Sequence, residues 1–153
     1  IQAAILRVKL PYLEGWHEAR AKNAAIYSEL FHNAGATTSD NALSNDGFQL
    51  RTPLAPEAPA RHIYNQYCIR VPATLRNKLR DHLKSSDIGT EVYYPVPLHM
   101  QDCFEELGCK EGELPNTESA ALETLALPIY PELTEEQLRY VATTVIDFMN
   151  SHS

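Results

Sequence analysis

The sequence predicts a two-layer α/β sandwich with a small sheet and a long helix at its N-terminal end. Three observations carry this. Apolar residues recur at helical spacing from Ile1 to Phe31. The run HIYNQYCIRV at 62–71 is rich in β-branched and aromatic residues, as a strand should be. Beyond it, helical stripes alternate with shorter extended runs, the order in which helices cover a small sheet. Strand order and sense stay open at this level.

The first element is a helix over residues 1 to about 33. Ile1, Ile5, Val8, Tyr12, Trp16 and Ala19 share a face, and Ile26, Leu30 and Phe31 continue it after a drift. Glu18 and Lys22 stand one turn apart in the favourable order. Pro11 lacks a donor and crowds the preceding turn, so the helix should kink or restart there; Gly15 loosens it further. Gly35 marks its C-cap region. Residues 34–61 form a linker, with a turn at Asn45-Asp46-Gly47, a short strand over Phe48–Arg51 and a proline-rich extended connector.

The compact unit spans 62–153. After the strand comes a helix with Leu75, Leu79 and Leu83 in one stripe, stopped where Asp87 tolerates a left-handed turn and Gly89 frees the chain. Residues 90–94 return as a strand on which Tyr93 and Tyr94 face opposite sides. A short helix follows from Met100 to Gly108, then one capped by Asn116 or Thr117. LALPIY at 125–130 reads as a third strand. TEEQ at 134–137 is a capping box opening a last helix with Leu138, Val141, Ala142, Val145 and Met149 on its apolar face.

The charge balance narrows the function classes. A net charge of −7 with scattered basic residues excludes a nucleic-acid or anionic-membrane surface, which needs clustered Lys and Arg. The basic group Arg76, Lys78, Arg80 and Lys84 reads as a solvated helix face. Three cysteines without a C-x-x-C pair suit reduced thiols in a cytoplasmic protein. No apolar run is long enough to span a bilayer. The chain enters in mid-helix with neither Met nor a capping residue, and is expected to be a piece of something longer.

Catalytic signatures are few. The six glycines form no phosphate-cradling loop, G-x-S-x-G is absent, and HEARA at 17–21 lacks the second histidine of a zinc motif. His62, His99 and Cys103 are a combination that zinc accepts, but Cys103 beside Phe104 and Leu107 reads as a core thiol. The most specific feature is the elbow YYPVPLH at 93–99. Its two prolines fix φ and lower the entropy lost in holding His99 against a polar ligand. A solvated turn residue is the other reading of His99.

The opening IQAAILRVKL with YLEGWHEAR at 12–20, HIYNQYCIR at 62–70, YPVPLHMQ at 94–101 and LPIYPELTEEQ at 127–137 resembles, in order, the C-terminal portion of the StrS/DegT-type sugar aminotransferases. Together these blocks are specific, though each alone is weak, and they cover essentially the whole chain. The resemblance implies the small-domain portion of the aspartate aminotransferase-like, type I pyridoxal phosphate fold. Residues 1–33 would be the helix bridging from a missing large domain. It further implies a homodimeric enzyme that uses pyridoxal phosphate to turn the keto group of a nucleotide-linked sugar into an amine, usually with glutamate as donor.

Residue by residue, the resemblance sets His99 at the active-site rim facing the sugar, with Tyr94 supporting it and His62 a weaker contact. It puts the cofactor lysine, the acid at the pyridine nitrogen and most phosphate ligands upstream of Ile1. The five lysines, Lys9, Lys22, Lys78, Lys84 and Lys110, all stand in charged contexts. No catalytic, cofactor-binding or metal residue is therefore expected in this segment. Pro11 and Gly15 depart from the family's straight bridging helix. Two other classes stay open: a free-standing domain binding a small ligand or a partner, and a metal-dependent enzyme built on His62, His99 and Cys103.

Overall fold

Pro11 decides how the N-terminal helix runs. In a computed structural model describing residues 1–38 and 47–152, helix α1 spans Gln2–Lys9 and a 3₁₀ turn covers Leu10–Tyr12. Helix α2 then runs from Leu13 to Asn33. The expected restart is thus a tightening of the helix where the proline removes a donor. Gly15 lies inside α2 without breaking it. A Schellman motif ends α2: Ala36 N donates to Phe31 O at 2.9 Å and Gly35 N to His32 O at 3.0 Å. Gly35 has a φ of +103°, and a Cβ there would meet Phe48 Cβ at 3.3 Å, so glycine is required twice over.

The two helices differ in what they bury. No residue of α1 is buried, and Leu6, Val8 and Leu10 are each about two-thirds exposed. The second half of α2 sinks Ala24, Tyr27 and Phe31 into the core. Tyr27 lies 5.1 Å, centroid to centroid, from Tyr67, and its hydroxyl donates to Pro128 O at 3.1 Å. Burial raises the Tyr27 phenol well above its ordinary range, so it stays a neutral donor.

Strand β1 (Tyr67–Arg70) pairs antiparallel with β2 (Thr124–Leu127), with Tyr67 opposite Leu127 and Ile69 opposite Leu125. These four side chains turn inward, each burial contributing about 2 kcal/mol. Helices α2, α3 (Ala73–Ser85) and α5 (Glu135–Asn150) supply most of the rest of that core, with Leu50, Val71, Ile88 and Leu133 from the connections. Leu79 and Leu83 of α3 are fully buried and Leu75 packs at the margin, as the stripe predicts. Asp87 at φ +56° closes α3 with Ile88 N donating to Leu83 O at 2.9 Å. The capping box of α5 is complete: Gln137 N donates to Thr134 Oγ1 at 3.2 Å, and Thr134 N to Gln137 Oε1 at 3.0 Å.

Several expected elements are shorter than their patterns suggest. The strand at 62–71 is regular only over Tyr67–Arg70, because Tyr64 takes a positive φ and bends the chain before it. Of Phe48–Arg51 only Arg51 pairs, bridged to Arg70 on one side and to Thr37 on the other, and Pro53 ends the pairing. Residues 90–94 contribute only Glu91, bridged to Ala126, before the Pro95–Pro97 elbow. The sheet therefore reads, in spatial order, Thr37, Arg51, β1, β2, Glu91. The third strand stops at Leu127, where Pro128 removes the next donor.

Residues 98–107 form two 3₁₀ pieces, Leu98–Met100 and Asp102–Leu107, instead of an α-helix. Helix α4 spans Pro115–Glu123, with Leu114 at the N-cap where Asn116 or Thr117 was expected. The linker is also less separate than its composition implies, since Leu50 is fully buried in the main core. Part of the expected 45–47 turn lies outside the described residues. Among the described residues no helix is long and apolar enough to cross a membrane.

Candidate functional site

Helices α2, α3 and α5 pack the sheet face that carries Tyr67, Ile69, Leu125 and Leu127. The other carries Cys68 and Arg70 of β1, with Thr124 and Ala126 of β2 opposite them. Three cavities run along it. One of about 190 Å³ lies beside Arg51, Cys68, Arg70 and Thr124. A second, about 490 Å³, is bounded by Pro53, Arg61, His62, Gln66 and Cys68. A third, about 350 Å³, is lined by Asn65, Gln66, Glu91, Tyr93 and Ala126. Neighbours share Cys68 or the Asn65–Gln66 pair, so the three make one trough of mixed polar and apolar lining. Its two larger parts have the size of small-molecule sites.

One end of the trough is braced by Glu123. Its Oε2 accepts from Arg70 Nη2 at 2.6 Å, Arg70 Nε at 3.0 Å and Arg51 Nη2 at 3.3 Å. Arg70 Nη2 also donates to Ser119 Oγ at 3.2 Å. This ties the 50–52 segment, β1 and α4 together, so the cluster's first effect is rigidity. Burial pushes the nearby Cys68 thiol up, which keeps it protonated and unreactive near neutral pH.

The other end is the elbow. Tyr93 lines the trough and Tyr94 is 72% exposed; their rings meet edge to face 6.0 Å apart instead of on opposite sides of a strand. His99 does not point outward as expected. Its side chain is 6% exposed, and Nε2 donates to Glu118 Oε1 at 3.1 Å. Nδ1 is enclosed without a hydrogen-bond partner, so in this conformation neither nitrogen is open to a ligand. His62 is exposed at the largest cavity, its Nδ1 accepting from Tyr64 N at 2.8 Å. Tyr94 and His62 thus stand at accessible positions, and His99 underpins the elbow from within.

Among the described residues no three of His, Cys, Asp and Glu gather as a metal site. Cys103, expected in the core, is exposed. In a 3₁₀ turn residues three apart eclipse, so Cys103 shares its side with Glu106 and only Phe104 leans inward. All five lysines are exposed and none lines the trough. Sequence reasoning missed Glu118 and Glu123. An acid in the first turn after Leu114-Pro115 was the available signal for Glu118.

The sequence model of the DegT/DnrJ/EryC1/StrS aminotransferase family matches residues 1–146, which include the whole trough and elbow. The chain belongs to this family. It is 43% identical over 97% of its length to a "Pleiotropic regulatory protein" of Geobacillus stearothermophilus, covering 36% of that protein. It is 33% identical over 95% of its length to a UDP-N-acetyl-3-dehydro-alpha-D-glucosamine 3-aminotransferase of Acidithiobacillus ferrooxidans, covering 34% of it. The crystal structure of S. venezuelae DesV with a ketimine intermediate superposes at a TM-score of 0.81, with 30% identity, over 97% of this chain and 36% of that one. These matches bear out the resemblance to StrS/DegT-type aminotransferases and the α/β fold class. The chain spans about a third of the length of the curated family relatives it matches.

Proposed function

We propose that this chain is the C-terminal small-domain portion of a longer pyridoxal-phosphate-dependent aminotransferase that converts a nucleotide-linked keto-sugar to an amino-sugar. On this reading residues 1–33 bridge to a large domain, 34–61 link, and 62–153 form the small domain. The enzyme is a cytoplasmic homodimer with glutamate as amino donor. The single observation carrying the proposal is the family match over 1–146, with relatives named as nucleotide-sugar aminotransferases.

Pyridoxal phosphate needs a lysine for its imine and a carboxylate at its ring nitrogen to act as an electron sink. Five exposed lysines, none of them lining the trough, do not fit that requirement, so none of the cofactor's chemistry is assigned to this chain. What its residues contribute is shape. The trough walls the substrate side, where Asn65 and Gln66 offer donors and acceptors that suit sugar hydroxyls. Tyr94 and His62 contact the sugar, and His99 sets the elbow. Holding the sugar in place lowers the barrier without any bond-making residue here.

Tyr94→Ala in the full-length enzyme tests this. Sugar KM should rise by about tenfold while the half-reaction with the amino donor is unchanged. A sugar KM and kcat both unaltered would remove Tyr94 from the site. The 153-residue chain alone should not transaminate. Purified chain that turned yellow with cofactor and converted a sugar unaided would defeat the proposal.

A further inference from the structure

Among the described residues, Glu118 gathers more donors than any other carboxylate outside the Glu123 clamp. Oε1 accepts from His99 Nε2 at 3.1 Å, Gly112 N at 3.0 Å and Leu114 N at 3.2 Å, and Oε2 from Gly112 N at 2.8 Å. These donors, Gly112 N–H first among them, hold the carboxyl below its ordinary range, so it is ionised at neutral pH. Glu118 sits in the first turn of α4, and α4 passes directly from Glu123 into Thr124 of β2. Further along β2, Ala126 exchanges two backbone hydrogen bonds with Glu91, at 2.8 and 3.2 Å. Both ends of the elbow are therefore fastened to one α4–β2 unit, at Glu91 and at His99.

Between those fastenings the chain holds itself weakly. Val96 O meets Gln101 Nε2 only at 3.5 Å, and Tyr93, Tyr94, Val96 and Leu98 are 43, 72, 45 and 63% exposed. Pro95 and Pro97 stiffen the segment but do not aim it. A stiff segment takes its direction from its ends. The Glu91 end belongs to the sheet. The His99 end has its own 3₁₀ turn, where Met100 N donates to Pro97 O at 2.9 Å, and its side-chain tie to α4 is the Glu118 carboxylate.

We propose that Glu118 is the positioning residue of the substrate-facing elbow, fixing the aim of Tyr94 through His99 and the 112–114 turn. This rests on the substrate-wall reading, and the experiment separates the two. Glu118→Ala, Glu118→Gln, His99→Phe and Tyr94→Ala are compared in the full-length enzyme by hydrogen exchange and by sugar KM against kcat. In Glu118→Ala, exchange should quicken over 92–107 and 110–114 but not in β1 or α5. Its sugar KM should rise about tenfold with kcat within about twofold. Glu118→Gln should recover part of this, because its carbonyl still accepts from the same donors. His99→Phe breaks the pair from the other side and keeps the test open should Glu118→Ala not fold; it should raise KM and leave 110–114 unchanged.

Unchanged exchange over 92–107 in both Glu118→Ala and His99→Phe would overturn the proposal. So would an unchanged sugar KM in these variants while Tyr94→Ala raises it, and the substrate wall would then stand without Glu118. If Tyr94→Ala also leaves KM unchanged, Tyr94 is no part of the substrate wall and the positioning role falls with it.

Discussion

Glu123 shows how one side chain can decide the standing of several segments. It accepts hydrogen bonds from two guanidinium groups, of which Arg51 is nearly enclosed and Arg70 is about one-third open. Removing the carboxylate takes away the acceptor that both guanidinium groups share. Glu123→Ala should lower stability by about 2 kcal/mol, read as a shift in the urea midpoint with an unchanged slope. Neither this cluster nor the Glu118 hub was legible in the sequence. Glu123's partners lie 72 and 53 residues away and His99 lies 19 from Glu118, and only the folded topology brings these together. The elbow's aromatics and prolines were legible because their effect is local. The direction of His99 was not, because it is set by that remote carboxylate.

Among the elements, those with a local signature formed as read. The restart at Pro11, the left-handed Asp87 and the capping box at Thr134 each draw on chemistry within a few residues. Thr134→Ala should destabilise the chain by about 1 kcal/mol through loss of the cap, measured by thermal or urea unfolding. Thr134→Ser should restore most of it, since the serine hydroxyl also accepts from Gln137 N. The strands were over-read for a physical reason. A β-type run marks residues that suit a sheet, but regular pairing needs a partner of matching length. Arg51 and Glu91 find a neighbour for one residue each, so runs of four or five collapse to bridges. Helix α4 was read with the wrong cap because Glu118 reaches back from within the helix to Gly112 and Leu114, a job usually assigned to the preceding residue.

Across the whole molecule, the two ends of the long N-terminal helical run belong to different environments. Tyr27 and Phe31 are fully buried in the core, whereas Ile1, Ile5, Leu6, Val8, Leu10 and Tyr12 are each more than half exposed. So many exposed apolar side chains on one helical run favour association. The isolated chain should sediment as a species larger than a monomer, and Leu6→Glu with Val8→Glu should reduce it; a wild-type chain that stays monomeric at high concentration would contradict this. The same scale gives the α4–β2 junction its meaning. Helix gives way to strand between Glu123 and Thr124 with no spacer, so chain length there admits no slack. One added residue would reverse the facing of everything after it, sending Leu125 and Leu127 to solvent and Ala126 into the core. Growth and shrinkage of this protein are tolerable in its turns; at that seam, sequence length itself is part of the architecture.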